Sequence, residues 1–198
     1  MQRHIDNQST IAMLQPTFMY LKKRNGMSKT VAFIIAHDGY QSIEYRTPKK
    51  MIESVGIRVI TVSDKIGTAT AHDGSTTEVE VKLDQLKVEN YDAIIFVGGP
   101  GALEHLDNSI SHTIIQKAIE KNIILGAICI STRILAKADA LIGKRATGWN
   151  GDDELPHIYT LNHVNYIHMD TVVDGNIITA VGPSAAQEFA QRIIESLH

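Results

Sequence analysis

From Thr30 onward, short β-branched runs alternate with longer stretches of helical period. That alternation confines the chain to an α/β architecture with a mostly parallel sheet and helices on its faces. Parallel neighbours need long crossovers, and strands buried on both faces read as continuous apolar runs rather than as alternating ones. The pattern predicts strands over 31–36, 58–62, 93–97, 123–128 and 177–181, and helices over 43–54, 111–121, 131–137 and 184–197. Ser184-Ala185-Ala186-Gln187 reads as a capping box for the last helix. Asp73-Gly74, flanked by Thr and Val, predicts a small hairpin within 69–81, and Asp174-Gly175-Asn176 predicts a second turn. The segment 149–170, rich in His and Asn, has the weakest periodicity and reads as a surface loop.

With 198 residues the chain is the size of one ordinary domain and needs no disulfide or metal to fill a core. Met27 opens a natural domain start, so the reading is a single domain over 27–198 preceded by an appendage over 1–26. Pro16 interrupts the apolar part of that appendage and no small-residue cleavage site follows, which argues against a secretory signal. One cysteine cannot form an internal disulfide, so a reducing, cytoplasmic setting is expected. A formal net charge of -3 argues against nucleic-acid binding, which needs clustered Lys and Arg. No apolar run reaches the roughly 20 residues of a membrane helix, so no membrane partner is expected.

In an open parallel sheet the ligand crevice lies beyond the carboxyl ends of the strands. This brings together His37-Asp38-Gly39-Tyr40, Gly98-Gly99-Pro100-Gly101 and the turn at Cys129. Cys129 sits where an apolar run passes into a helical stretch, and the unpaired N–H groups of a helix start favour a thiolate. A buried structural cysteine gives the same local pattern. Gly98-Gly99 lacks the Lys-Ser/Thr of a phosphate loop and opens no dinucleotide fingerprint. It reads either as a plain tight turn or as an oxyanion site, with the N–H of Gly99 and Ile130 facing developing charge. His157, His163 and His168 with Asp170 match no metal-ligand spacing, so no metal is expected.

Three elements in order are an acidic residue opening the first helix (Glu44, with Pro48 four residues on), the Gly-Gly-x-Gly loop, and Ala127-Ile128-Cys129. Together with Gly182-Pro183 and Glu188-Phe189 they resemble the ThiJ/PfpI family of the class I glutamine amidotransferase-like superfamily, over nearly all of 31–197. The resemblance implies a flavodoxin-like three-layer sandwich with a nucleophile-elbow cysteine, and Glu44 beside Cys129 as a proton shuttle. It also implies a cofactor-independent enzyme, a homodimer in the family's manner, acting on small reactive carbonyls such as methylglyoxal, or on their adducts. A cysteine-based oxidation sensor or chaperone is the alternative, and isonitrile hydration a narrower one.

Departures from the family pattern shape these expectations. Ile130 stands where peptidase-like members have His, which disfavours a Cys–His peptidase. Trp149 occupies the approximate place of a further family His, leaving His157 or His163 as substitutes. Ser131 replaces a small Gly and adds a hydroxyl near the elbow. No His-x-Glu pair follows Cys129, so a glutamine amidotransferase is excluded.

Overall fold

The computed structural model describes residues 29–198. The appendage read over 1–26 lies outside the described residues. In chain order the strands and helices are β1 (Thr30–Ile35), β2 (Asp38–Tyr40), α1 (Ser42–Ser54), β3 (Arg58–Ser63), β4 (Gly67–Ala71), β5 (Thr76–Val79) and β6 (Val81–Lys82). They continue with β7 (Ala93–Phe96), α2 (Ala102–Leu106), α3 (Ser109–Glu120), β8 (Ile124–Ile128), α4 (Thr132–Lys137), β9 (Arg145–Ala146) and α5 (Leu155–Leu161). The last are β10 (Asn165–Tyr166), β11 (Thr171–Asp174), β12 (Ile177–Ala180) and α6 (Ala186–Leu197).

Seven strands form the central sheet in the order β11-β12-β8-β7-β1-β3-β6, parallel except for β11. The pleat sends Val31, Phe33 and Ile35 of β1 to one face and Ala32 and Ile34 to the other, and all five are fully buried. One face packs on α1 and α6 through Tyr45, Ile52, Phe189 and Ile193. The opposite face packs on Leu106, Ile115, Ile134 and Leu135 from α2, α3 and α4. Helices therefore cover both faces, which makes the fold a flavodoxin-like α/β/α sandwich and explains the unbroken apolar runs in the sequence. The Asp73-Gly74 turn joins β4 to β5, and Asp174 begins the turn between β11 and β12, as the turn residues imply.

Two readings need correction. Leu155–Leu161 is helical, not loop, with Leu155 and Tyr159 as its buried anchors. Seven residues make barely two turns, too short a segment for periodicity to reveal a helix. At the last helix, Pro183–Ala185 form a 3-10 turn, and the N-cap is Ala185 with no side-chain cap bond. Gly182-Pro183 starts the turn early, so Ser184 lies inside it and the Ser-x-x-Gln box is not used.

Candidate active site

Four segments meet at the carboxyl end of the sheet: the first turn of α1, the loop after β7, the elbow after β8, and Gly182 after β12. Gln41 begins α1 by accepting the Ile43 N–H at 3.4 Å through its side chain, and its own N–H donates to the Gly98 carbonyl at 2.9 Å. The helix start is thereby tied to the glycine loop. Glu44 then projects into the core and is fully buried. Pro48, four residues on, lacks the N–H that would have closed the helical bond to the Glu44 carbonyl.

Glu44 Oε2 accepts the Gly98 N–H at 3.0 Å, while Oε1 is buried without a hydrogen-bond partner. Oε1 and the Cys129 sulfur border one small space: a methyl group on Gly182 would lie 3.7 Å from Oε1 and 4.0 Å from Sγ. Burial pushes the Glu44 carboxyl up to about 7, against the opposing pull of Cys129 and the Gly98 N–H. A group titrating there can both take and give a proton near neutral pH.

Ile128 ends β8 in extended conformation, and Cys129 then adopts φ of 62°, in the left-handed region that non-glycine residues avoid. Such a conformation costs about 1–3 kcal/mol and persists only where neighbours hold it. The N–H groups of Ile130 and Gly99 act to stabilise a charged sulfur. Burial acts the other way and is the larger effect, and the Glu44 carboxylate adds to it, so the thiol is pushed up rather than down. The expectation of a helix-stabilised thiolate is thus reversed. Residues Cys129–Ser131 form only a 3-10 turn and α4 has six residues, too short for a strong dipole. Burial disfavours two negative charges side by side, so the Cys129–Glu44 pair favours keeping a proton.

Other residues singled out by sequence fall in different places. Ser131 offers no hydroxyl to the sulfur, because its Oγ donates to the Val97 carbonyl at 2.7 Å and ties the elbow to the end of β7. Ser131→Ala is expected to cost about 1–3 kcal/mol in urea unfolding by leaving that carbonyl short of a donor; an unchanged stability would refute this tie. Trp149 is half-buried, its N–H donating to the Cys129 carbonyl at 3.3 Å. His157 and His163 are both exposed, and neither hydrogen-bonds to Cys129 or Glu44. Among the described residues no group of three His, Cys, Asp or Glu side chains is placed to hold a metal. None of their helices is long and apolar enough to cross a membrane.

Sequence reasoning used Gly182 only as a mark of the family and missed Thr132 and Arg133. Gly182 follows a strand at the sheet's carboxyl end, a position that does mark it. The other two needed the fold: Thr132 Oγ1 donates to the Cys129 carbonyl at 3.0 Å, and Arg133 is buried although charged.

Comparison with known proteins identifies the family and the fold. Residues 29–196 match the model of the DJ-1/PfpI family. An uncharacterized protein of Methanocaldococcus jannaschii is 30% identical over 177 residues, spanning 89% of this chain and 86% of that one. One from Staphylococcus aureus is 30% identical over 176 residues, spanning 86% and 99%. Among solved structures, a ThiJ/PfpI domain protein from Brachyspira murdochii superposes with TM-score 0.82 at 26% identity, covering 87% of this chain and 98% of that one. Drosophila melanogaster DJ-1beta superposes with TM-score 0.78 at 25% identity, covering 86% and 91%. From its glycine loop, its elbow cysteine and the length of these matches, the chain belongs to the DJ-1/PfpI family.

Proposed function

We propose that this protein is a cofactor-independent cysteine enzyme for small reactive carbonyl compounds, with methylglyoxal as the simplest substrate. The observation that carries the reading is the unpartnered, buried Glu44 Oε1 beside the Cys129 sulfur, with room for a methyl group at Gly182 against both. Sulfur attacks the aldehyde carbon while the thiol proton passes to the Glu44 carboxylate. The N–H groups of Gly99 and Ile130 hold the oxyanion, which is then protonated to a hemithioacetal. Glu44 moves a proton from the aldehyde carbon to the neighbouring carbonyl carbon, leaving a lactoyl thioester. Water hydrolyses that thioester to lactate and regenerates the thiol. Atoms balance as methylglyoxal plus water to lactate, with no external oxidant or reductant. Adducts of the same carbonyl on amines are hemiaminals that release the same aldehyde carbon, and they extend the substrate class.

Ile130 supplies no base beside the thiol, which weighs against amide or peptide hydrolysis. A free thiol as nucleophile suits a reducing compartment such as the cytoplasm, and a homodimer is the assembly we expect from the family. The test follows methylglyoxal loss and lactate formation with the intact protein, alongside peroxide titration read by intact mass. Stoichiometric excess of lactate over protein supports the reading. Absence of turnover, with selective gain of two oxygens at Cys129 under mild peroxide, would replace it with an oxidation sensor.

A further inference from the structure

The elbow conformation of Cys129 needs something to hold it, and the residues around its carbonyl show what does. That carbonyl accepts from Thr132 Oγ1 at 3.0 Å and from the Trp149 N–H at 3.3 Å. Trp149 is in turn held by Arg133, whose Nη2 donates to the Trp149 carbonyl at 3.4 Å and whose guanidinium carbon lies 5.5 Å from the centre of the indole ring. Arg133 is itself fixed by a bidentate pair with Asp152, at 2.9 Å and 2.6 Å. Asp152 Oδ1 also accepts the Glu154 N–H at 3.2 Å, anchoring the carboxylate to its own turn. The opposite side of the indole meets Gly151, where a methyl group would come within 2.6 Å of the ring.

Burying a guanidinium is costly, and Nε of Arg133 is left without a partner. An apolar side chain would fill the same space on α4 without that cost. What the arginine adds is direction: its donors reach only Asp152 and the Trp149 carbonyl. We propose that Asp152, Arg133 and Trp149 form a clamp that holds the Cys129 elbow in its left-handed conformation, with Arg133 as a positioning residue for the thiol. Trp149 braces the nucleophile through its backbone N–H. The clamp keeps the sulfur facing the N–H groups of Ile130 and Gly99 and the carboxyl of Glu44. The inference needs the Cys129–Glu44 pair but not the carbonyl chemistry.

The test is the pH profile of Cys129 alkylation by iodoacetamide, with Asp152→Asn, Asp152→Glu and the Arg133→Met/Asp152→Asn pair. The double variant removes both charges together, so it avoids the unpaired buried guanidinium that Asp152→Asn leaves. The wild-type protein and Asp152→Glu are expected to show an inflection near pH 7, set by the shared proton of the pair. Asp152→Asn or the double variant, folded by far-UV circular dichroism, is expected to lose it and titrate as an ordinary thiol near ~8.5. Emission from Trp149, the chain's single tryptophan, is expected to shift to the red as the ring gains water. A folded double variant that keeps the inflection near pH 7 overturns the proposal. So does a wild-type profile without one, because there is then no coupled pair to hold. Carbonyl turnover plays no part in this readout, so its absence would sink the proposed reaction and leave the clamp standing.

Discussion

Glu44→Gln is expected to slow methylglyoxal conversion by about 10²–10⁴, the usual contribution of a positioned acid–base group, and Cys129→Ala to abolish it. The glutamine keeps the shape of the side chain and an oxygen for the Gly98 N–H, so the loss isolates the proton. In the wild-type protein the rate is expected to rise with pH through about 7, as buried Glu44 ionises to accept the thiol proton. The variant loses that limb. The same shift has a stability consequence of definite sign. Because burial raises the folded-state pKa from 4.5 to about 7, the folded protein holds a proton that the unfolded chain releases between those values. Stability therefore falls as pH rises from about 4.5 to about 7, by an amount of order 3 kcal/mol. Glu44→Gln removes this dependence and is expected to gain on the wild-type protein in urea unfolding between pH 4.5 and pH 8. A stability difference that stays constant over that range, or turnover that survives Cys129→Ala, would refute the pair as the centre of the reaction.

The sheet was legible because burial on both faces writes itself into residues such as Val31 to Ile35 and Ile124 to Ile128, which are apolar at consecutive positions. α5 was not, since only Leu155 and Tyr159 of its seven residues are buried. The meeting of the glycine loop and Cys129 followed from topology, because loops at one end of a parallel sheet converge whatever their distance in sequence, whereas Glu44 came only from the family resemblance. The direction of the thiol's shift did not follow. Local pattern shows a turn before a helix, but the balance between two N–H donors and burial is set by packing from β12, α1 and the glycine loop. Arg133 was illegible for a related reason. A lone arginine in Ser-Thr-Arg-Ile-Leu-Ala-Lys reads as a solvated helix residue, and only the fold brings Asp152 to it from 19 positions away.

Gly98→Ala is expected to separate the two reacting side chains while leaving the fold in place. A methyl group there would sit 2.6 Å from Cys129 Cβ and 2.6 Å from Glu44 Oε2, closer than carbon contacts allow. The Glu44 carboxyl can swing aside, but Cys129 Cβ is fixed to its backbone and the Ile128 carbonyl oxygen would lie 3.0 Å away, so the elbow must also shift, at a cost of about 1–3 kcal/mol. Turnover should fall at least as far as in Glu44→Gln, because the proton and the sulfur no longer meet. Gly99→Ala makes the informative contrast. Its methyl would lie 2.4 Å from the Gly39 carbonyl oxygen and 2.5 Å from the Gln41 nitrogen, at φ of 122°. Those obstacles are backbone, and the conformation itself disfavours a side chain, so overpacking and strain together cost about 2–6 kcal/mol. Urea unfolding should rank Gly99→Ala below Gly98→Ala, and the alkylation profile of Gly98→Ala should change in a protein that still folds. A folded Gly98→Ala with wild-type kcat/KM would mean that the glycine is there for its turn and not to let the carboxyl reach the sulfur.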